Sequence, residues 1–242
     1  MNNPYAAPGG GANAGRGGLR FVDPSQLPNE PALGQIMLEP KGSKEVAATP
    51  WRMLLEGDRL WLAPANGPAV ELTHQEFAEH VNLLMAGELC VFGIRGLEPI
   101  RTLQCPMSAI EPLVRWMGMR RDVHVGMALK KRLRAAVPIG IFVTVMSLPV
   151  LGGSFEPLSA AFGVSLIALA IVVRFSSHPM LFLGLAANWL LLAASNVPNI
   201  MNGSRVLIPF ALIALLLGYG ALKSFAFYRR VTSHAHDQPS RS

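Results

Sequence analysis

The chain has 242 residues, of which 51% are hydrophobic, and a formal net charge of +6. That length allows one or two domains. The basic residues gather beside apolar runs and are not interleaved with aromatics, which excludes a nucleic-acid surface and points to charged membrane flanks.

Residues 1–33 are rich in Gly, Ala, Pro and Asn. They offer too little apolar surface to offset ordering entropy, so a disordered tail is expected. A positive n-region followed by an apolar run is missing, so no secretory signal is expected. Nor is N-myristoylation expected, since Asn2 stands where glycine is needed.

Residues 34–118 read as a small, mainly β soluble domain. The run QIMLE is a first strand, and WRMLLEGDRLWLAP gives two more around Glu56-Gly57-Asp58. Asn66-Gly67 is a strong hairpin signal, because both residues tolerate positive φ. Strand AVEL follows. The stretch from Thr73 to Ala86 carries two signals. Thr73 and Glu76 form a capping box, with Phe77, Val81 and Leu84 on one helical face, yet Val81, Leu83 and Met85 alternate as in a strand. The reading is a single helical turn over 73–78 and then a strand. ELCVFGI and PIRTLQC are the last strands. Ser108 and Glu111 suggest a second capping box, and Ile110, Leu113, Val114 and Met117 fall at helical spacing. An amphipathic helix is expected from Met107 to Gly118, its apolar stripe against the sheet.

The strands GDRLWL and ELCVFGI, the Asn66-Gly67 turn and the SAIEPLVRWMG helix resemble the pleckstrin-homology-like (PH-like) superfold, in which antiparallel strands are closed by a C-terminal helix. The resemblance is architectural and covers residues 34–118. Bacterial membrane proteins carry such domains beside transmembrane helices, so it implies a cytoplasmic binding or regulatory module. The basic pair of phosphoinositide-binding members is missing from the early strand loop.

Residues 119–134 form a basic juxtamembrane linker, which either lies at the headgroups or runs into the first span. Residues 135–228 follow as an α-helical bundle of four membrane spans, at about 135–152, 158–173, 179–197 and 206–227. A span needs about 20 apolar residues, and such runs must be helical, since lipid offers the backbone no partners. A re-entrant hairpin over 135–173 is the alternative to two spans.

Lys and Arg set the orientation. Arg120, Arg121, Lys130, Lys131, Arg132 and Arg134 precede the first span, and Arg229 and Arg230 follow the last. These eight are expected at the membrane interface, with both termini cytoplasmic and residues 229–242 a cytoplasmic tail in an inner (plasma) membrane protein. Span interiors carry no charge, which argues against a proton relay. Ala211, Ala214, Gly218 and Ala221 form a small-residue packing stripe on the fourth span. Asn188 is the strongly polar side chain at depth, and an interhelical hydrogen bond is its expected role.

No catalytic motif appears. Cys90 and Cys105 lie on adjacent expected strands without C-x-x-C or histidine at ligand spacing, so they read as small buried hydrophobes and not as a zinc site. His74 and His80 lack the H-E-x-x-H pattern, and His234-Ala235-His236-Asp237 reads as a solvated tail. No cofactor, metal or enzymatic activity is expected. The expectation is a multi-pass membrane adaptor or tether with a cytoplasmic PH-like module. The alternative is the membrane subunit of a transporter or an oligomeric pore. Membrane lipids are the expected partners, and a protein bound at the cytoplasmic domain or a second copy of the chain is left open.

Overall fold

The computed structural model describes residues 19–41, 49–95, 102–146, 157–203 and 207–236. They divide into two units: 1–124 with 231–242, and 125–230.

The first unit is mainly β. Its strands are β1 (Arg20–Val22), β2 (Gly34–Pro40), β3 (Trp51–Glu56), β4 (Arg59–Ala63), β5 (Ala69–Thr73), β6 (Val81–Ala86), β7 (Leu89–Ile94) and β8 (Thr102–Pro106). Helix α1 (His74–His80) joins β5 to β6, and α2 (Glu111–Met119) follows the sheet. The strands make one antiparallel sheet in the order β1-β5-β4-β3-β2-β8-β7-β6. The strand series followed by helices is compatible with a PH-like fold.

Register explains the core. Side chains alternate across a strand, so cross-strand partners share a face. Ile36 pairs with Met53, Met53 with Leu62 and Leu62 with Val70. This face also carries Leu38, Trp51, Leu55, Leu60 and Leu72, all buried. Helix α2 packs against β2 and β3. The opposite face holds a smaller cluster of Leu54, Trp61, Ala63 and Ala69 with Val22 of β1, and Leu27 packs on it.

That second cluster corrects the reading of the tail. Residues 19–33 were expected to be disordered, but Arg20–Val22 pairs with β5, and Leu19 and Val22 are buried. The strand covers an apolar face that would otherwise be wet. Residues 1–18 lie outside the described part.

Both signals in 73–86 are used in turn. The Thr73–Glu76 capping box forms, α1 runs two turns to His80, and the alternating residues then build β6. The expected box at Ser108–Glu111 does not cap a helix. A short 3-10 turn spans Met107–Ala109, and α2 begins at Glu111 with Ile110 as its N-cap. Pro112 gives the reason: proline is tolerated in the first helical turn and not further in. The β3–β4 turn is the expected one, with Gly57 at φ 53°. Cys90 and Cys105 face each other across β7 and β8 as free, buried cysteines. The neighbouring Cys105 thiol and burial push the Cys90 thiol well above its ordinary pKa. It stays protonated, consistent with a role as a small core group.

The second unit is helical, with α3 (Arg121–Met146), α4 (Pro157–Phe175), α5 (Leu181–Met201) and α6 (Leu207–His236). Successive helices run antiparallel. Gly140 of α3 meets Gly163 and Leu166 of α4, while Gly126 meets Ser177 just past the end of α4. Gly184 of α5 meets Leu169 of α4. Gly218 of α6 packs on Ala186 and Trp189 of α5, and Phe182 stacks on Tyr228. Three helices are long and apolar enough to cross a membrane: Pro157–Phe175, Leu181–Met201 and Leu207–Ser233. Four were expected. The expected first span, 135–152, is described only to Met146, and its helix starts at Arg121, so the basic stretch and the apolar one form a single helix.

Candidate functional site

Two polar constellations stand out, one in each unit. In the β unit, Thr73 caps α1 and so places His74 as the first helical residue, turned inward. Its ring stacks on Trp116 of α2, with centroids 3.8 Å apart. Its Nδ1 lies 2.8 Å from Nε2 of His124, at the start of α3. All three side chains are buried, and Phe77 closes the group edge-on to Trp116 and His124.

A hydrogen bond between two neutral imidazoles needs one donor and one acceptor, which burial enforces by disfavouring the charged forms. Burial and the Arg120 charge pull His74 down to about 4, against weak opposition from Asp58 and Asp122. Burial, His74 and Arg120 pull His124 down to about 3. The pair is therefore neutral near pH 7. Among the described residues, His74 Nε2 and Trp116 Nε1 have no hydrogen-bond partner. Sequence reasoning missed this cluster, because His74 and His124 are 50 residues apart and share no motif.

The same unit neutralises its other buried polar group. Glu71 is buried on the outer face of β5 and takes two arginines. Arg59 Nη1 donates to its Oε1 at 2.6 Å, and Arg20 Nε lies 3.2 Å from its Oε2. Arg20 stands directly opposite it in the β1–β5 register.

In the helical unit, Leu129, Leu133, Ala136 and Gly140 form the packed side of α3, and Arg132 borders it, half-buried. Arg132 Nη2 donates to the Gly220 carbonyl at 3.2 Å and to Ser224 Oγ at 2.5 Å. Its guanidinium lies 6.0 Å from the centre of the Phe182 ring. The Ser224 hydroxyl donates in turn to the Gly220 carbonyl at 2.9 Å, so Ser224 acts as a fixed acceptor for the guanidinium. Gly126 is level with Ser177, and Arg132 is six residues further along α3, roughly 9 Å at helical rise. Arg132 thus adds helix-packing contacts to the interfacial position expected of it, three residues before the expected start of the first span.

Of the other expected interface residues, Arg120, Arg121, Lys130, Arg134, Arg229 and Arg230 are exposed and Lys131 is half-buried. In the packing stripe, Ala214, Gly218 and Ala221 are buried and Ala211 is half-buried. Asn188 accepts from Ser165 Oγ of α4 and donates to the Gly184 carbonyl at 2.9 Å. It thus makes the expected interhelical bond.

Among the described residues, no three His, Cys, Asp or Glu side chains gather as a metal site. The side chains of the 234–237 motif lie outside the described part. These features define a class: a mainly β domain followed by a helical region with three helices of membrane-crossing length and apolarity. No family model matches the chain, and neither a curated protein nor a solved structure matches it.

Proposed function

We propose that the chain is a multi-pass membrane protein whose β domain is a cytoplasmic binding or regulatory module, a non-enzymatic adaptor tethered by its helices. The observation that carries this reading is the joining, in one chain, of an ordered β domain to helices of membrane length whose outward faces are apolar. On α6 these faces include Phe210, Leu212, Ile213 and Leu216, all exposed. Residues of this kind are stable against lipid and costly against water. In this reading α3 enters the membrane as a fourth helix through residues 135–146, which its close approach to α4 at Gly140 and Gly163 supports.

The basic residues on the α3 and α6 ends suit the cytoplasmic leaflet of an inner membrane. The small-residue stripe of α6 is taken up inside the chain, where Gly218 packs on α5, which favours the tether over an oligomeric pore. Photo-crosslinking probes across residues 34–118 in native membranes test the reading. A reproducible protein partner at one face of the domain is expected. Crosslinks only to lipid, or only to other copies of the chain, would contradict it.

A further inference from the structure

We propose that the His74–His124 pair is an acid-sensitive latch, which fastens the first turn of α3 to α1 at neutral pH and releases it when the two rings take up protons. Both rings, with Phe77, Trp116 and Arg120, belong to the first unit. The inference stands apart from the membrane reading.

Helices α2 and α3 are separated by one residue, Arg120, whose φ of −133° and ψ of 50° break the helical course. A residue at the end of an element can absorb a change of direction. Just past this break, His124 Nε2 meets His74 Nδ1 at 2.8 Å. A side-chain bond thus ties the first turn of α3 to the first turn of α1. Helix α1 is itself held by its capping box and packs on β5 and β6.

The bond holds only while the pair is uncharged. Two neutral imidazoles offer one N–H and one lone pair between them. If His74 Nδ1 is the donor, an added proton on this ring goes to Nε2, which is buried and has no acceptor among the described residues. If His124 Nε2 is the donor, the added proton goes to His74 Nδ1 and faces that N–H at 2.8 Å. Neither tautomer accommodates a charged His74, because a buried N–H without an acceptor is costly. Trp116 and Phe77 pack against both rings, all four buried.

The nearby charges act mainly in the same sense. Burial first and Arg120 second disfavour a proton on His74, against Asp58 and Asp122. On His124, burial, His74 and Arg120 all disfavour it. Of the other ionisable groups on the packed elements, Glu71 of β5 is taken by Arg20 and Arg59, and Glu76 sits in the capping box. Glu79, Glu111, Arg115 and Arg121 are exposed, His80 is half-buried, and β6 has no ionisable residue.

Opening therefore takes up protons. The closed pair titrates at about 4 and about 3, and each ring returns toward 6.5 once released. The latch is closed at and above pH 6.5 and loosens as pH falls toward 4. With both rings free to charge, the ratio of open to closed rises about 200-fold between pH 6.5 and 5.

Hydrogen exchange of the full chain over this range, each rate scaled to the intrinsic rate at its pH, tests the latch. Protection over residues 76–81 and 123–128 is expected to fall about 100-fold or more, and to lie below that of β3 at every pH. His74→Phe with His124→Phe should remove the fall. His80→Gln, elsewhere on α1, should leave it. Protection of the two segments that does not change with pH would overturn the proposal. So would protection equal to that of β3 throughout, which would mean that the pair opens only when the whole domain unfolds. Both results come from the wild type and need no variant to fold. A fall of the same size in the double variant would also overturn it.

Discussion

The two units handle buried charge in opposite ways. Outside residues 125–230 the chain carries twelve Lys and Arg against fourteen Asp and Glu; inside, nine against one. The β unit neutralises its charges within itself. Glu71 is buried because Arg20 and Arg59 reach it, and the histidine pair is buried because it is uncharged. The helical unit holds Arg132 between helices with a carbonyl, a hydroxyl and an aromatic ring, and no acid. A group cut off from water is stable only when a partner offsets its charge or when it carries none.

The comparison is broken first at Glu71. Replacing Arg20 and Arg59 together by Ala leaves a buried carboxylate without a partner, which is expected to cost about 3–5 kcal/mol. Hydrogen exchange of β3–β5 amides in the full chain would read the loss, and unchanged protection would show that water already screens the pair.

The histidine pair gives the next effect. Both groups titrate lower in the folded chain than their ordinary value of 6.5, to about 4 for His74 and about 3 for His124. Below pH 6.5 the unfolded chain takes up protons that the folded chain refuses, so stability present above that pH is lost as pH falls toward 4. About 3 kcal/mol is expected to disappear between pH 6.5 and 5. A denaturation series over that range checks it, and replacing both histidines by Phe should flatten the slope.

Inside the helical unit, Gly163→Ala would bring its Cβ against Thr144 and within 2.5 Å of the Gly140 carbonyl. Separating α3 from α4 in this way should cost about 1–3 kcal/mol, seen as a lower unfolding temperature. Ser165→Ala removes the bond to Asn188 and should cost about 0.6 kcal/mol, a typical interhelical value in membranes. The smallest effect is expected at Arg132. In neutral lipid, Arg132→Gln strands no acid, and Ser224 keeps its bond to the Gly220 carbonyl, so stability should change by less than about 1 kcal/mol. A loss as large as that at Glu71 would mean that an acidic partner exists within the chain.

How much of this could be read in the sequence follows from the range of each interaction. Local signals were legible. The Thr73 capping box, the turn at Gly57 and the strands around Cys90 and Cys105 depend on residues a few positions apart. Asn188 was legible because a polar side chain in an apolar run needs a partner. The strand at Arg20–Val22 was not, because its reason for ordering is the Trp61 cluster elsewhere in the chain. His124 was not, because nothing near it in sequence announces His74. Arg132 was placed outside the helix interior because the first span was begun where the charges stop. Sequence composition gives no account of which side of a helix a charge lies on, and here the packed face of α3 begins before the charges end.

The contrast between the units comes down to whether the exposed apolar faces of the helices meet lipid while the β domain meets water. The most direct measurement is labelling of single cysteines at Leu84, exposed on β6, and at Ile213 and Leu216, exposed on α6, by a water-soluble maleimide in native membranes. The tethered-module reading predicts labelling at Leu84→Cys in opened vesicles and none at Ile213→Cys or Leu216→Cys until detergent is added. Labelling of the α6 positions as fast as that at Leu84→Cys would contradict it.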